Sequence, residues 1–99
     1  MEPFKRFKKS NTENNIWIYI LYLGKEREIA NDEVRKLIFE KFGFLPGRLI
    51  TSRVLFSLRN QGYIKKEKFK GKPAFSTTKK GMEELEKMKG FFKELIKKV

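Results

Sequence analysis

The segment 48–81 constrains the fold more than any other part of the chain, because its residue types predict a fixed order of elements. A run of helix-forming residues stops at Gly62, and glycine takes the left-handed conformation of a helix end without strain. Two strand-forming runs follow, one on each side of a basic turn at Gly71-Lys72-Pro73. Thr78 then stands where a helix cap is expected. The pattern predicts helix, strand, turn, strand and helix in that order.

Three motifs in this segment resemble those of the PadR-like and MarR-like regulators. Ser52 to Ile64 matches the pattern S-R-x-L-x-x-L-x-x-x-G followed by two hydrophobic residues. Gly71-Lys72-Pro73 is similar to the Gly-x-Pro wing turn, and Thr78 to Gly81 is similar to the T-x-x-G start of the following helix. This resemblance covers about half of the chain. It implies a mainly helical α+β fold, the winged helix-turn-helix, with a three-helix core, a β-hairpin wing and a long C-terminal dimerisation helix.

A chain of 99 residues has room for one domain with one modest core. We expect a basic N-terminal arm at 1–10, a winged-helix DNA-binding domain at 11–77, and a C-terminal dimerisation helix at 78–99 that packs on the same domain. The arm is predicted to be loose. Its lysines and arginine either reach a minor groove or phosphates, or belong to a frayed terminus.

Periodicity predicts the elements before residue 48. A largely buried helix is expected at 14–23, with Asn11 or Thr12 as cap, Glu13 near its positive end, and Gly24 closing it; the β-branched residues there would also suit a strand. Residues 27–30 are predicted to form a short third strand beside the hairpin. A second helix is expected to start at a cap, Asn31 or Asp32, and to stop at Gly43, and Pro46 is placed to begin the next helix.

The charge of the chain indicates a polyanionic partner. Twenty-four Lys and Arg against twelve Asp and Glu give a formal net charge of +12, and this excess repels itself in the folded state. Residues 59–80 contain eight basic residues and only one acidic residue, Glu67, which is a net charge of +7 on one hairpin and its flanks. The alternative is a solvated basic face that only keeps the protein soluble.

The helix predicted at 47–61 and the hairpin carry the expected DNA contacts. Arg53 is the first candidate for reading bases, with Arg48 second, because arginine bonds guanine through two parallel hydrogen bonds; Arg53 could equally contact a phosphate or a carboxylate of the chain. Thr51 is expected on the inner stripe and also as a contact, and Phe56 packs either on a thymine methyl or on the first helix. The full predicted set is Arg48, Thr51, Ser52, Arg53, Phe56, Arg59, Lys66, Lys68, Lys70, Lys72 and Lys79.

The last helix has an apolar stripe that is too long for one small domain to bury. Its apolar residues recur at spacings of three and four, which places them on one face. We expect its far half to pair with a second copy of the chain, with burial in the same subunit as the alternative. The predicted dimer residues are Met82, Leu85, Met88, Phe91, Phe92, Leu95, Ile96 and Val99.

Composition argues against several other functions. The chain has no cysteine and no histidine, so a disulfide, a thiolate zinc site and a cysteine or histidine that acts as nucleophile or base are excluded. We therefore predict no enzyme, no cofactor and no metal. The longest apolar run, 16–23, is far shorter than the roughly 20 residues that cross a bilayer, so a cytoplasmic protein is expected.

The resulting hypothesis is a homodimeric, sequence-specific regulator of transcription that binds double-stranded DNA. The alternatives are a winged helix that serves as a protein-interaction or assembly module, and a binder of structured RNA. A protein interface should be apolar at its centre, whereas the predicted recognition surface is mostly arginine, serine and lysine.

Overall fold

The computed structural model describes residues 2–11 and 15–99. The elements, in chain order, are α1 (Pro3–Asn11), α2 (Ile16–Glu26), β1 (Ile29–Ala30), a 3-10 turn (Asn31–Glu33), α3 (Val34–Phe42), α4 (Arg48–Asn60), β2 (Ile64–Phe69), β3 (Lys72–Thr77) and α5 (Lys79–Lys98). Thr12 and the predicted helix start at 14 lie outside the described residues, whereas the other predicted cap, Asn11, is wrong because it ends α1 and the cap position of α2 is Asn15. Among the described residues, every helix is too short or too polar to span a lipid bilayer.

The strands form one antiparallel sheet in the order β1-β3-β2. β2 and β3 are a hairpin in which Ile64 lies opposite Thr77, and β1 pairs Ile29 with Phe75 on the other side of β3. The short third strand beside the hairpin is therefore confirmed, although it is only two residues long. The sheet packs against α2, and this contact supplies most of the core.

The core is built around α2, whose Ile20 and Leu21 have no exposed surface. Leu58 from α4, Phe75 from β3 and Leu85 from α5 pack into the same cluster. Aromatic rings extend the cluster toward α3, where the ring of Tyr19 packs edge-on against those of Phe42 and Phe44 at 4.7 and 5.0 Å between ring centres. Burial raises the pKa of the Tyr19 phenol.

The end of α2 differs from the prediction, because the helix continues through Gly24 to Glu26. Gly24 is buried, and a Cβ atom there would lie 2.6 Å from Thr77 Oγ1 and 2.9 Å from Phe75 Cε2. The glycine thus permits a close approach between α2 and β3 and is not a helix cap. The prediction that Gly24 ends the helix is wrong, because the constraint on this residue comes from a distant strand.

The region around α3 confirms one predicted helix end and corrects two starts. Gly43 ends α3 in the left-handed conformation, with φ of 81°, as predicted. Neither Asn31 nor Asp32 caps α3, because both lie in the 3-10 turn that precedes it. Pro46 precedes α4, whose cap position is Gly47, so the prediction that Pro46 begins this helix is wrong. Its carbonyl oxygen instead accepts a hydrogen bond from Arg35 Nε at 2.8 Å.

The tip of the hairpin lies one residue earlier than predicted. Phe69 pairs with Lys72, so Lys70 and Gly71 form a two-residue turn. Both have positive φ, 52° and 80°, as a type I′ turn requires, and the twist of this turn matches that of the strands. Lys72 and Pro73 belong to β3 and are not part of the turn, which corrects the predicted Gly71-Lys72-Pro73 turn.

The first and last elements of the described chain are helices. α1 is helical, with the side chains of residues 3–10 exposed, so the prediction of a loose arm is wrong. α5 starts at the predicted cap, since the Thr78 hydroxyl accepts a hydrogen bond from Gly81 N at 3.2 Å and donates one to Gly62 O at 2.6 Å. The first bond caps α5, and the second ties its start to the chain just after α4.

Candidate nucleic-acid interface

A groove of about 270 Å³ runs between α4 and the hairpin. It forms because the chain reverses tightly after α4: Gly62 has φ of 82° and Tyr63 N donates to Leu58 O at 2.9 Å. β2 therefore returns beside the helix that it follows. The groove is lined by Asn31, Ser52, Leu55, Phe56, Arg59, Ile64, Lys66, Ala74 and Phe75. Four predicted contacts, Ser52, Phe56, Arg59 and Lys66, are thus brought together.

Arg59 and Phe56 form the polar and aromatic wall of this groove. The Arg59 guanidinium carbon lies 5.8 Å from the centre of the Phe56 ring, a distance suited to a cation–π contact. Phe56 is 57% exposed, so the alternative in which it packs on the first helix is wrong. Arg48 lies one helical turn before Ser52, on the same side of α4. The side of α4 that meets the groove therefore carries two arginines.

The outermost face of α4 is a second stripe, which we call the outer stripe: Leu49, Arg53, Phe56 and Asn60. These residues follow one another at spacings of four, three and four, which places them on one helix face. All four are exposed, and Leu49 is 74% exposed. The predicted contacts omitted Leu49. Its offset of two residues from Thr51, which was predicted to face inward, indicates an outward-facing side chain. The surface thus carries two exposed apolar side chains, Leu49 and Phe56, among the predicted arginines, serine and lysine.

Thr51 is not available to a ligand on this surface. Its side chain is 2% exposed, and its hydroxyl donates to Gly47 O at 2.7 Å. The predicted position on the inner stripe is confirmed, and the predicted base or phosphate contact is wrong. Thr51 is buried because it lies seven residues from Leu58, and this spacing puts both residues on the face of α4 that packs against the core.

The lysines of the hairpin differ in their surroundings. Lys66 reaches the groove, and Lys66 and Lys68 together line a shallow cavity of about 530 Å³ near Gly71. Lys70 lies in the turn, with Nζ 5.3 Å from the ring centre of Phe69. Lys72 Nζ forms an ion pair with Asp32 Oδ2 at 3.4 Å, and both side chains are more than half exposed. Exposed pairs of this kind are weak, so the Lys72–Asp32 pair contributes little to stability.

Lys79 is separated from the other predicted contacts. It lies on α5 and lines a surface depression with Met82, Glu83, Glu86 and Lys87, all on the same helix. The structure does not place it in the groove. Its neighbour Lys80 lies at the junction of α4 and β2, where Nζ donates to Gln61 O at 2.6 Å and lies 4.6 Å from the ring centre of Tyr63.

The predicted dimer residues divide into two groups. Leu85 is 3% exposed in the core, so its predicted place in a dimer interface is wrong, and Met88 packs against the core with part of its surface. Beyond Met88 the apolar side chains leave the core. Phe91 is 65% exposed and Ile96 is 70% exposed. Met82, Leu95 and Val99 are also exposed, and Phe92 is half-buried.

A second cavity, of about 380 Å³, lies between α2, α4 and α5. Its lining is mainly apolar, with Trp17, Leu21 and Val54 among the residues. Tyr63 donates a hydrogen bond from its hydroxyl to Glu84 Oε1 at 3.4 Å at this cavity. In the part of the chain that the structure describes, acidic side chains form no group of three or more that could hold a metal ion.

Solved structures with this arrangement identify the fold. A winged-helix DNA-binding protein from STIV superposes with a TM-score of 0.71 over 83% of this chain and 90% of that chain, at 21% identity. The chain has the winged-helix fold. A candidate transcriptional regulator from Thermoplasma acidophilum superposes with a TM-score of 0.57 over 85% of this chain and 90% of that chain, at 20% identity. No protein-family model and no curated protein matches the chain.

In winged-helix terms, α2, α3 and α4 are the three core helices, and β2 with β3 is the wing. The predicted mainly helical α+β, winged-helix fold is confirmed, and dimerisation through the C-terminal helix stays a prediction. The finer resemblance to PadR-like and MarR-like regulators stays a prediction.

Proposed function

We propose that this winged-helix protein is a non-enzymatic regulator of transcription that binds double-stranded DNA as a homodimer and recognises sequence. In this proposal α4 enters the major groove, as recognition helices do, and the wing contacts phosphates or the adjacent minor groove. The observation that carries it is the groove between α4 and the wing, where Ser52, Arg59 and Lys66 lie together. The two similar solved structures support it, because one is a DNA-binding protein and the other a candidate regulator.

The charge of this surface suits a duplex. α4 contains three arginines and no acidic residue, and the wing adds Lys66, Lys68 and Lys70. Each phosphate that a basic side chain neutralises releases condensed counterions, which drives binding and makes it dependent on salt. Arg53 and Arg48 are the proposed base readers, and Arg59 with the wing lysines holds the phosphates. If four such contacts form in each subunit, log affinity should fall with log salt at a slope of about −7.

The dimer in this proposal forms through the far half of α5. Phe91, Leu95 and Ile96 are exposed on this helix, and apolar faces of this kind mark interaction sites.

Selection of bound duplexes from a random pool at about 150 mM salt tests the proposal, because salt at this level weakens nonspecific binding. The expected result is enrichment of an inverted repeat, and Arg53→Ala should reduce binding to the enriched duplex. A structured-RNA duplex serves as the control, since its deep, narrow major groove cannot admit a helix. Equal recovery of all sequences, or equal binding of the RNA duplex, would contradict the proposal.

A protein-interaction module is the second candidate, and one observation favours it. Leu49 and Phe56 expose apolar surface on the outer stripe, and Leu45 is exposed in the turn before α4. Protein interfaces are apolar at their centre. Sedimentation with and without a random duplex separates the two candidates, because only the DNA-binding protein changes its sedimentation when the duplex is added.

A further inference from the structure

The apolar part of the outer stripe is positioned to meet whatever α4 contacts. Leu49 and Phe56 are each offset by two residues from a buried residue, Thr51 and Leu58 respectively, and two residues correspond to about 200° around a helix. Leu49 therefore points away from the core, and Phe56 is exposed at the edge of the groove. Arg53 lies between them on the same stripe, one turn from each. The sequence of contacts along the helix is apolar, cationic, apolar.

The surroundings of the outer stripe favour a nucleic acid over a protein as its partner. Arg48 and Arg59 lie on the adjacent side of α4, and Lys66 lies across the groove. The apolar area of two exposed side chains is also far smaller than the roughly 800 Å² that each partner buries in a stable protein interface. A surface that is apolar at two points and cationic around them matches the edge of a DNA major groove, where phosphates surround the bases.

The major groove offers one apolar group, the 5-methyl group of thymine, and apolar side chains pack against it. We propose that Leu49 and Phe56 make the chain specific for half-sites in which thymine methyl groups lie on both sides of the base that Arg53 reaches. This inference rests on the proposed function and names the class of DNA that it selects. Leu49 becomes a specificity-determining residue, although it carries no polar group.

The length of the stripe sets the spacing of the two thymines. Seven residues of α-helix separate Leu49 from Phe56, which is about 10 Å along the helix axis. Base pairs in a duplex are about 3.4 Å apart. With α4 lying along the groove, the two methyl groups are expected about three base-pair steps apart.

Replacement of thymine by uracil tests this proposal, because it removes the methyl group and keeps every hydrogen-bonding atom of the base. The enriched duplex is synthesised with deoxyuridine at one thymidine position at a time, and affinity is measured by fluorescence anisotropy. Two positions per half-site, about three steps apart, are expected to weaken binding by about four-fold each, equivalent to about 0.8 kcal/mol at about 1.4 kcal/mol per tenfold.

Variants assign each methyl group to a side chain. Leu49→Ala should abolish the sensitivity to uracil at one of the positions and Phe56→Ala at the other, while each variant keeps its sensitivity at the remaining position. Ile50→Ala is the matched control: Ile50 is an exposed apolar residue of α4 that lies off the outer stripe, and the variant should keep both sensitivities. Because all three side chains are exposed, the variants are expected to fold, and circular dichroism checks this.

The outcomes separate the failure of this inference from that of the proposed function. Binding that selects a sequence but tolerates uracil at every position overturns the inference alone. Sensitivity to uracil that both Leu49→Ala and Phe56→Ala retain also overturns it, because the methyl groups then contact other residues. Absence of any enriched duplex overturns both. Protection of Leu49 and Phe56 by a protein partner, without DNA binding, assigns the outer stripe to the second candidate function and overturns the inference.

Discussion

At the residue scale, two glycines inside helices have opposite surroundings. Gly24 in α2 is buried against Phe75 and Thr77, whereas an added Cβ at Gly90 in α5 would have no atom within 4 Å. Alanine is favoured over glycine in a helix by about 1 kcal/mol. The same substitution should therefore have opposite effects at the two positions, because at Gly24 the steric cost exceeds the gain in helix propensity.

We expect Gly24→Ala to lower the free energy of unfolding by about 1–3 kcal/mol, the usual cost of overpacking a core. Gly90→Ala, the matched control, should raise it by about 0.5–1 kcal/mol. Denaturant titration followed by circular dichroism measures both. Stabilisation by both substitutions would mean that α2 does not approach β3 as closely as the structure places it.

At the element scale, the lysines of the wing should contribute to the salt dependence of DNA binding, whereas those of α5 should not. Lys68→Gln removes one proposed phosphate contact per subunit, so in a dimer the slope of log affinity against log salt should become shallower by about 2. Lys79→Gln removes the same charge from α5, outside the groove, and should leave the slope unchanged. Anisotropy titrations between about 50 and 200 mM salt measure it. An equal change in both variants would show that only the overall charge matters.

The far half of α5 should hold the dimer together. Phe91→Asp and Ile96→Asp place a charge on exposed apolar positions, and burying an unpaired charge between two helices is costly. Both variants are expected to sediment as monomers that keep their fold. Glu94→Gln alters a polar residue of the same half and serves as the control. If Phe91→Asp and Ile96→Asp remain dimeric, the subunits associate through another surface.

At the scale of the whole molecule, a two-fold dimer should fix the distance between half-sites. Two recognition helices related by a two-fold axis read half-sites about 34 Å apart, one turn of DNA. An insertion of about five base pairs, half a turn, places the half-sites on opposite faces of the duplex, so affinity should fall to that of a single half-site. Anisotropy with the enriched and the lengthened duplex measures this. Equal affinity for both would indicate binding as independent monomers.

Features that depend on neighbours along the chain were predictable from the sequence. Gly43 and Gly62 end helices in the left-handed conformation, and Thr78 caps the last one, because these roles need only a few adjacent residues. The hairpin was predictable from the strand-forming runs on both sides of Gly71, and its positive charge from the number of lysines. Part of the candidate site was also predictable. Helix periodicity places Ser52, Phe56 and Arg59 on neighbouring faces of α4, and Lys66 lies on the strand that follows this helix directly.

By itself, the sequence determined the order of the elements, the main turns and the excess of positive charge, because local backbone preferences and composition carry that information. Only the tertiary structure decided which of the predicted contact and dimer residues are exposed to a partner. It buried Leu85 within the core and placed Lys79 away from the groove. Both outcomes depend on packing between residues far apart in the chain. Periodicity within one helix shows which residues share a face, but it does not specify which element packs on that face.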